Sequence, residues 1–460
     1  MVWNGKKVLV IGTGKSGIAS AKLLVRSGAE PVLFDSNPLV DRASVLKNFT
    51  GESVPAMYAG SLPGEVIDGT ETVVLSPGVP LDNPDVERIR KSNKEIIGEI
   101  ELAWTFEKGS LLAVTGTNGK TTTTTLLGEI MKNYCREKGR AFVVGNIGEP
   151  YTDIADETDE NSVTVAEISS FQLETVKSFH PRVSAILNLT PDHLNRHKTM
   201  AGYVAAKERI FERQGEEDTV VLNYDDALTR DAAGRTKSKV VFFTRQNDFD
   251  KTAAPGDFLH LEDKKIYYNE IPVVCVDELK LIGVHNYENV MAAVGMAASF
   301  GVPMDIIRET VRSFKAVEHR IEFVRRVNGV DYYNDSKGTN PDAAIKAVEA
   351  MSAPTVLIGG GYDKRSSYDE WIESFGSKVR ALVLLGETAD AIEKAARDHG
   401  FTEIHRVNTL EEAVRLSATL SKPRGAVLLS PACASWDMFK SYEERGRLFK
   451  EYVASLKEED

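Results

Sequence analysis

The stretch that most limits how this chain can fold is residues 111–122, LLAVTGTNGKTT. An aliphatic run without alternation is typical of a strand that is buried on both faces. Two glycines separated by small polar residues follow it, and residues 121–132 then have the pattern of a helix. A strand, a glycine loop and a helix N-terminus together favour anions, because loop N–H groups converge there and the helix dipole points at the ligand. The stretch therefore predicts a nucleoside triphosphate site.

This loop is shorter than the standard phosphate-binding loop, because Val114 stands where that motif has glycine. It keeps the Gly-Lys-Thr end, in which Lys120 would reach the terminal phosphates and the Thr121 hydroxyl would bind Mg²⁺. The alternative is an ordinary strand, turn and helix with an exposed lysine. The order of strand, glycines, lysine and helix favours the phosphate site.

Length, charge and cysteine content exclude several classes of protein. The 460 residues suit three domains of ordinary size, and the formal net charge of -12 argues against nucleic acid or an anionic membrane as the partner. The three cysteines imply no disulfide framework. The sequence has no signal-peptide pattern and no apolar run of about 18 residues, so we expect a cytoplasmic protein.

The N-terminal region carries a glycine fingerprint. Residues 7–11 read as a strand, Gly12 to Gly17 have the spacing G-x-G-x-x-G, and a second strand over 31–35 ends at Asp35. This pattern is typical of dinucleotide-binding folds, so an NAD-dependent enzyme stays open. Many such turns carry glycines for packing alone. We predict a Rossmann-like domain over residues 1–95 whose loops bind a nucleotide, not necessarily NAD.

Residues 96–300 alternate strands and helices around the phosphate loop, which predicts a central, doubly wound α/β domain. Strand 163–167 ends at Glu167, and His193 follows strand 183–188. Ligands of parallel sheets gather where the strands end. We therefore expect Glu167 and His193 on the same rim of the sheet as the phosphate loop.

A helix near residues 202–211 places one lysine on an apolar face. Spacings of three and four put Tyr203, Lys207, Ile210 and Phe211 together. Lys207 could cover the core with its stem and extend its ammonium to solvent. Alternatively, an apolar flank could depress its pKa and leave a neutral, reactive amine. Periodicity alone leaves both open.

A later helix, opening near residue 283, carries Asn286 and Asn289 on one face. These side chains could hold a purine or metal-bound water, and capping of the helix by Asn286 is the equal alternative. From residue 301 to 460 the strand and helix pattern restarts, which predicts a third, Rossmann-like α/β domain. In it Asn340 reads as an N-cap with Pro341 in the first turn, beside a dense polar cluster.

Several motifs, in this order, are similar to those of the Mur ligase family. They are Gly116–Thr121, Glu167–Gln172, Asp192–Leu194, His285–Asn286 with Asn289, His319–Arg320 and Asn334–Lys337. Within the family, residues 76–78, 335–340 and 430–435 resemble the branch that adds D-glutamate, and the resemblance covers essentially the whole chain. Gly338 and Asn195 depart from the usual Ala and Asp, and neither removes a group assigned to chemistry.

The resemblance implies an ATP-dependent ligase of peptidoglycan precursor synthesis. ATP would phosphorylate the terminal carboxylate of UDP-N-acetylmuramoyl-L-alanine, and the amine of D-glutamate would attack the acyl phosphate. It also implies two Mg²⁺ ions, small-molecule partners without nucleic acid or membrane insertion, and a monomer. Two rival classes stay open beside it. A nicotinamide-dependent oxidoreductase would leave the phosphate loop without a role, and a non-catalytic nucleotide-gated binder would leave Glu167, His193 and Lys207 unexplained.

The same resemblance assigns roles to individual residues. The ATP-binding residues would be Gly116, Thr117, Asn118, Gly119, Lys120, Thr121, Thr122, Asn286, Asn289, Arg320 and Asp335. Thr121 and Glu167 would hold one Mg²⁺, and His193 with a carbamylated Lys207 would hold the second. Lys120, His193 and Lys207 would be the catalytic residues.

Two groups of residues would bind the other substrates. Ser16, Asp35 and Ser36 would lie near the uracil, and Gly78 and Asn146 near the diphosphate. Lys337, Thr339, Lys364, Ser435 and Tyr442 would form the D-glutamate pocket. Arg365 could take the place of Lys364 in that pocket.

Overall fold

A computed structural model describes residues 3–49, 53–146, 149–246, 256–315, 317–363 and 366–457. The chain forms two compact units. The first comprises residues 1–278 and 288–312, and the second comprises residues 279–287 and 313–460.

The first unit begins with a five-stranded parallel sheet in the order β3-β2-β1-β4-β5. Its strands are β1 (Lys7–Ile11), β2 (Glu30–Asp35), β3 (Ala56–Ala59), β4 (Thr72–Leu75) and β5 (Glu95–Gly98). Its helices are α1 (Lys15–Arg26), α2 (Arg42–Leu46), α3 (Gly64–Asp68), α4 (Pro84–Lys91) and α5 (Glu99–Trp104). The strand order reverses between β1 and β4, which creates a crevice at their carboxyl ends.

The second sheet of this unit has nine strands in the order β14-β13-β12-β11-β10-β9-β6-β8-β7. They are β6 (Ser110–Thr115), β7 (Ala141–Gly145), β8 (Val163–Glu167), β9 (Val183–Ile186), β10 (Thr219–Asn223), β11 (Lys239–Thr244), β12 (Phe258–Glu262), β13 (Lys265–Tyr268) and β14 (Ile271–Cys275). The pairs β12–β13 and β13–β14 are antiparallel, and all the other neighbouring pairs of this sheet, including β11–β12, are parallel.

The helices that accompany the second sheet begin with the one that follows the phosphate loop. They are α6 (Lys120–Cys135), α7 (Tyr151–Ile154), α8 (Ser170–Leu173), α9 (Leu194–His197), α10 (Met200–Glu208), α11 (Ala227–Ala232), α12 (His285–Phe300) and α13 (Met304–Ser313). Strand β6 lies between β8 and β9, with Val114 opposite Glu167 on one side and Ala185 on the other. Because all three strands run parallel, the loops that follow them leave the sheet at one rim.

The second unit contains a six-stranded sheet in the order β15-β16-β20-β17-β18-β19. Its strands are β15 (Glu322–Val327), β16 (Val330–Asn334), β17 (Thr355–Gly359), β18 (Val379–Leu384), β19 (Ile404–Arg406) and β20 (Ala426–Leu429). Only the β15–β16 pair is antiparallel among them. Its helices are α14 (Pro341–Glu349), α15 (Asp369–Glu373), α16 (Ala389–Asp398), α17 (Leu410–Leu420) and α18 (Tyr442–Ala454).

The three largely parallel sheets with their helices confirm the predicted α/β class. The N-cap prediction is also confirmed, because the Asn340 side chain accepts a hydrogen bond from the Ala343 N–H at 2.8 Å. Capping by Asn286 is wrong: α12 already begins at His285, and the Asn286 side chain instead donates to the Ile282 carbonyl at 2.7 Å. Across the described ranges, no helix combines the length and apolar character needed to cross a membrane.

Candidate active site

The crevice of the first sheet opens into a cavity of about 460 Å³. Its wall consists of residues 12–16, Asp35, 76–79, 145–146, Pro150 and Gln172. It therefore includes Ser16, Asp35, Gly78 and Asn146, four of the five residues assigned to the uracil and diphosphate. The fifth, Ser36, is exposed and does not line this cavity. The volume lies within the range of small-molecule sites.

Asp35 is held by the glycine-fingerprint loop itself. Its carboxylate accepts hydrogen bonds from the Thr13 N–H at 3.1 Å, the Thr13 hydroxyl at 2.6 Å and the Asn37 N–H at 3.0 Å. Burial opposes ionisation of this carboxyl, but the hydrogen bonds outweigh it and lower the pKa of Asp35. A Cβ on Gly17 would lie 1.8 Å from the Gly12 carbonyl oxygen. That glycine is therefore required by close backbone packing, whichever nucleotide the loop binds.

The phosphate loop is braced by the segment that follows β9. The Asn118 N–H donates to the Asn188 side-chain oxygen at 2.8 Å, and the Asn188 amide donates back to the Asn118 carbonyl at 3.1 Å. The Thr117 hydroxyl contacts the Tyr203 hydroxyl at 3.1 Å. Gly116 and Gly119 have φ of 147° and 83°, a region that favours glycine. The loop therefore has a fixed backbone, with Lys120, Thr121 and Thr122 in the first turn of α6.

Two lysines converge on this loop. Lys120 Nζ donates to the carbonyls of Gly116 at 2.8 Å and Thr117 at 2.7 Å. Lys207 Nζ donates to the Gly116 carbonyl at 2.8 Å and to the Thr115 hydroxyl at 3.3 Å. The solvent-extended alternative for Lys207 is therefore wrong, since the residue is only 1% exposed. Burial, followed by repulsion from Lys120, holds the pKa of Lys207 well below its usual value, although Asp192 and Glu167 oppose the shift.

Glu167 lies at the end of β8, and only one of its two carboxylate oxygens accepts a hydrogen bond from the described residues. Oε1 accepts from the Asn146 side-chain amide at 2.9 Å, whereas Oε2 is buried without a hydrogen-bond partner among the described residues. A buried carboxylate oxygen without a donor is costly unless a cation meets it. An oxygen ligand of this kind suits Mg²⁺, so the residues present fit the ion that the phosphate loop implies.

His193 lies on the same rim in a left-handed conformation, with φ of 53°. Its ring packs on Phe171 at a centroid distance of 4.7 Å, and its Nε2 lies 3.5 Å from the Asp192 carboxylate. Its side chain is half exposed.

Asn289 packs on the phosphate loop, because a Cβ on Gly119 would lie 2.1 Å from the Asn289 side-chain oxygen. Asn286 belongs to the second compact unit.

In the second unit, Asp335 is buried at the end of β16. Its carboxylate accepts from the Ser430 hydroxyl at 2.7 Å and from the Ile321 N–H at 3.3 Å. Burial raises the pKa of Asp335 to about 7, and the Ser430 hydrogen bond and the Arg320 charge act in the opposite direction. Arg320 has a buried Nε without a hydrogen-bond partner among the described residues.

Residues assigned to D-glutamate also lie in this unit. Lys337 Nζ is 5.4 Å from the centroid of the Tyr442 ring. The Tyr442 carbonyl accepts a hydrogen bond from the Ser336 hydroxyl at 2.8 Å. Ser435 and the preceding Ala434 are both buried. The Thr339 N–H donates to the Lys337 carbonyl at 2.9 Å. Lys364, with its alternative Arg365, lies outside the described residues.

Sequence reasoning missed Arg445, which joins two of these segments. Its guanidinium donates to the Ser336 hydroxyl at 3.0 Å, the Ser336 carbonyl at 2.8 Å, and the carbonyls of Cys433 and Ala434 at 3.2 and 3.3 Å. Burial lowers the pKa of Arg445 to about 10. Helical spacing could have pointed to Arg445, as it did to Lys207, because Arg445 lies on the same apolar helix face as Phe449 and Val453.

Three sheets of mostly parallel strands, a phosphate loop and a cavity of small-molecule size at the crevice of the first sheet define a class of nucleotide-using α/β proteins. The chain belongs to the Mur ligase family. The MurD-like N-terminal domain matches residues 6–98, the Mur ligase middle domain residues 114–297, and the Mur ligase glutamate ligase domain residues 319–433.

Full-length relatives support the membership. The chain is 52% identical over 458 residues to UDP-N-acetylmuramoylalanine–D-glutamate ligase of Lachnoclostridium phytofermentans, covering 99% of both chains. It is 48% identical to the protein of the same name from Lachnospira eligens, covering 98% of this chain and 99% of the relative. Among solved structures, UDP-N-acetylmuramate-alanine ligase of Thermotoga maritima has a TM-score of 0.61 at 20% identity and covers 98% of this chain and 100% of its own. That likeness shows the three-domain fold alone.

Proposed function

We propose that this protein is an ATP-dependent ligase that adds D-glutamate to UDP-N-acetylmuramoyl-L-alanine in peptidoglycan precursor synthesis. The observation that carries the proposal is the joint presence, in one compact unit, of the phosphate loop and the cavity at the crevice of the first sheet. Relatives that are about half identical over their whole length carry the name of this reaction. An oxidoreductase has no use for the phosphate loop, and a passive binder has no use for the buried Lys207 and Glu167.

The first chemical step is phosphoryl transfer from ATP to the acceptor carboxylate. A carboxylate oxygen attacks the γ-phosphorus, the bond to the bridging oxygen breaks, and ADP leaves. Catalysis of such a step is mostly positioning and neutralisation of charge on the transferred group. Lys120 and the N–H groups of residues 119–122 would meet the phosphates, and Asn286, Asn289, Arg320 and Asp335 would contribute to nucleotide binding.

The second step forms the amide bond. The amine of D-glutamate attacks the acyl carbon, phosphate leaves from the tetrahedral intermediate, and the nitrogen loses a proton. We assign Lys337, Thr339, Ser435 and Tyr442 to binding of the dicarboxylate, because anionic groups require cations and hydroxyls. We also assign His193 to the incoming amine. Lys364, or Arg365 in its place, stays assigned to the same amino acid from the sequence alone.

We propose two Mg²⁺ sites at the rim of the central sheet. Thr121 and Glu167 would hold one ion, and His193 with a carbamate on Lys207 would hold the second. When bound, these ions would neutralise the phosphoryl oxygens and bind the acceptor carboxylate. The depressed pKa of Lys207 supplies the neutral amine that reaction with CO₂ requires. The product is an anion with oxygen ligands, which suits Mg²⁺ better than an ammonium does.

The remaining assignments are part of the same proposal. We divide the chain into a UDP-substrate domain over residues 1–95, an ATP domain over 96–300 and an amino-acid domain over 301–460. We also infer a cytoplasmic monomer that engages neither nucleic acid nor membrane.

An isotope experiment tests the proposed function. Acceptor labelled with ¹⁸O in its terminal carboxylate is incubated with ATP, Mg²⁺ and D-glutamate, and the released phosphate is analysed by mass spectrometry. One ¹⁸O per phosphate is expected, because the carboxylate oxygen that attacks ATP leaves with the phosphoryl group. Phosphate without label would contradict the acyl phosphate, and absence of ADP release would contradict the ligase assignment itself.

A further inference from the structure

Arg196 of α9 reaches across from the central sheet to the wall of the 460 Å³ cavity. Its Nη1 donates to the Pro77 carbonyl at 3.0 Å, and its Nη2 donates to the Val79 carbonyl at 3.2 Å. Pro77 and Val79 both line the cavity and flank Gly78, which we assign to the diphosphate. A guanidinium that binds two carbonyls of one turn fixes the direction in which the turn presents its backbone.

The other side of the same guanidinium is held by the central sheet. Arg196 Nε donates to the Glu174 carboxylate at 3.0 Å, and the guanidinium lies 4.2 Å from the centroid of the Phe171 ring. The Phe171 ring is also the surface on which His193 packs. Arg196 therefore contacts the cavity wall on one side, and on the other side it contacts Phe171, on which His193 packs.

Burial makes this arrangement more than a surface ion pair. The side chains of Arg196 and Glu174 are each only 14% exposed, so solvent screens their attraction weakly. A lysine could keep the charge but could not bind two carbonyls and a carboxylate while stacking on a ring. The chemistry of the site thus requires arginine.

We propose that Arg196 is a positioning residue that aligns the acceptor-binding turn 77–79 with the reactive rim of the central sheet. This inference rests on the proposed function, because it concerns the UDP-substrate of that reaction. In this role Arg196 would contact neither the acceptor carboxylate nor the γ-phosphate. Its contribution is to hold the diphosphate-binding turn at the distance that brings the acceptor carboxylate to the rim.

A second bridge between the same two sheets provides a matched control. Arg26 of α1 forms two hydrogen bonds with the Asp156 carboxylate, at 2.7 and 2.8 Å. Neither residue lines the cavity. If these arginine bridges only hold the two sheets together, Arg26→Ala and Arg196→Ala should change the KM values of the substrates to the same extent.

The test measures KM for UDP-N-acetylmuramoyl-L-alanine and for ATP in Arg196→Ala, Arg196→Lys and Arg26→Ala. Arg196→Ala should raise the acceptor KM at least about tenfold, as expected for loss of charge-assisted hydrogen bonds, with the ATP KM unchanged. Arg196→Lys should have an intermediate acceptor KM, and Arg26→Ala should match wild type. Arg196→Lys decides the matter if the alanine variant does not fold.

Three results would overturn the inference: a wild-type acceptor KM in the Arg196 variants, equal increases in the acceptor and ATP KM, or the same increase in Arg26→Ala. Calorimetric binding of the acceptor to the wild-type protein separates this failure from failure of the proposed function. A wild-type protein that binds no acceptor contradicts the function, whereas one that binds it as tightly as Arg196→Lys contradicts only the role of Arg196.

Discussion

Lys120 and Lys207 donate hydrogen bonds to the same acceptor, the carbonyl oxygen of Gly116, each at 2.8 Å. Two ammonium groups on one oxygen repel each other, and Lys207 is the buried one, so its proton is the more easily lost. Carbamylation of Lys207 would replace this repulsion with attraction between an anion and the Lys120 ammonium. The pair thus gives a physical reason for modification at Lys207 and for a retained charge at Lys120.

Replacement of Lys207 tests the carbamate. Lys207→Arg keeps a positive charge but cannot be carbamylated, so we expect it to be as inactive as Lys207→Ala, with a loss of about a hundredfold or more in kcat. Added short-chain carboxylic acids should restore part of the activity of Lys207→Ala by supplying the missing oxygens. Near-normal turnover of Lys207→Arg in an ADP-release assay would disprove the carbamate.

Lys120→Ala should abolish turnover and leave the fold intact, because the proposed role of the ammonium is to act on the transferred phosphoryl group and not in the core. The comparison is Lys132→Ala, an exposed lysine on the same helix α6, which should match wild type. Circular dichroism monitors folding, and ADP release monitors activity. More than about a tenth of the wild-type rate, roughly 1.4 kcal/mol of barrier, is incompatible with the assigned role.

Arg445→Met should damage the proposed D-glutamate pocket selectively. It removes a donor from the carbonyls of Ser336 and Cys433, and each buried acceptor left without a donor costs about 1–3 kcal/mol. The Ala434 carbonyl keeps its hydrogen bond from the Tyr362 N–H at 2.9 Å. We expect a lower melting temperature and a higher KM for D-glutamate, with the KM of the UDP-substrate unchanged. Arg447→Met, an exposed residue on the same helix, is the control. An unchanged KM for D-glutamate would refute this role.

The pH dependence of stability should report on Asp335. Its carboxyl has a pKa of about 7 in the folded protein and about 3.9 when unfolded, so between these values the folded state binds more protons. The stability that this group contributes is present at low pH and is lost as the pH rises toward 7. Relative to wild type, Asp335→Asn should therefore gain a few degrees in melting temperature between pH 5 and pH 8. A difference that is constant with pH would exclude this titration.

The sequence predicted those elements whose local chemistry is distinctive. Strand β6 and helix α6 follow from an aliphatic run and a glycine loop, and Asn340 from the polar residue before Pro341. Strand β3 was not predicted because its four residues are exposed or half-buried and lack alternation. Burial on one face is a tertiary property that such a short segment does not encode.

The candidate site was predicted less completely than the fold. Periodicity placed Lys207 on an apolar face, but only the structure shows that its amine meets the Gly116 carbonyl, 91 residues away in sequence. Arg196 and Arg445 were not predicted at all. Most of their partners are backbone carbonyls of distant turns, which carry no sequence signature, and their side-chain partners Glu174 and Ser336 lie in other segments of the chain.

The most direct test of the proposed function is ADP release from ATP with UDP-N-acetylmuramoyl-L-alanine and a panel of L- and D-amino acids. We predict rapid release with D-glutamate alone, because the proposed C-terminal pocket would offer Lys337 and hydroxyl groups to a dicarboxylate. We also predict no sustained release when either acceptor or amino acid is omitted. Comparable turnover with L-lysine or diaminopimelate would contradict the proposed function.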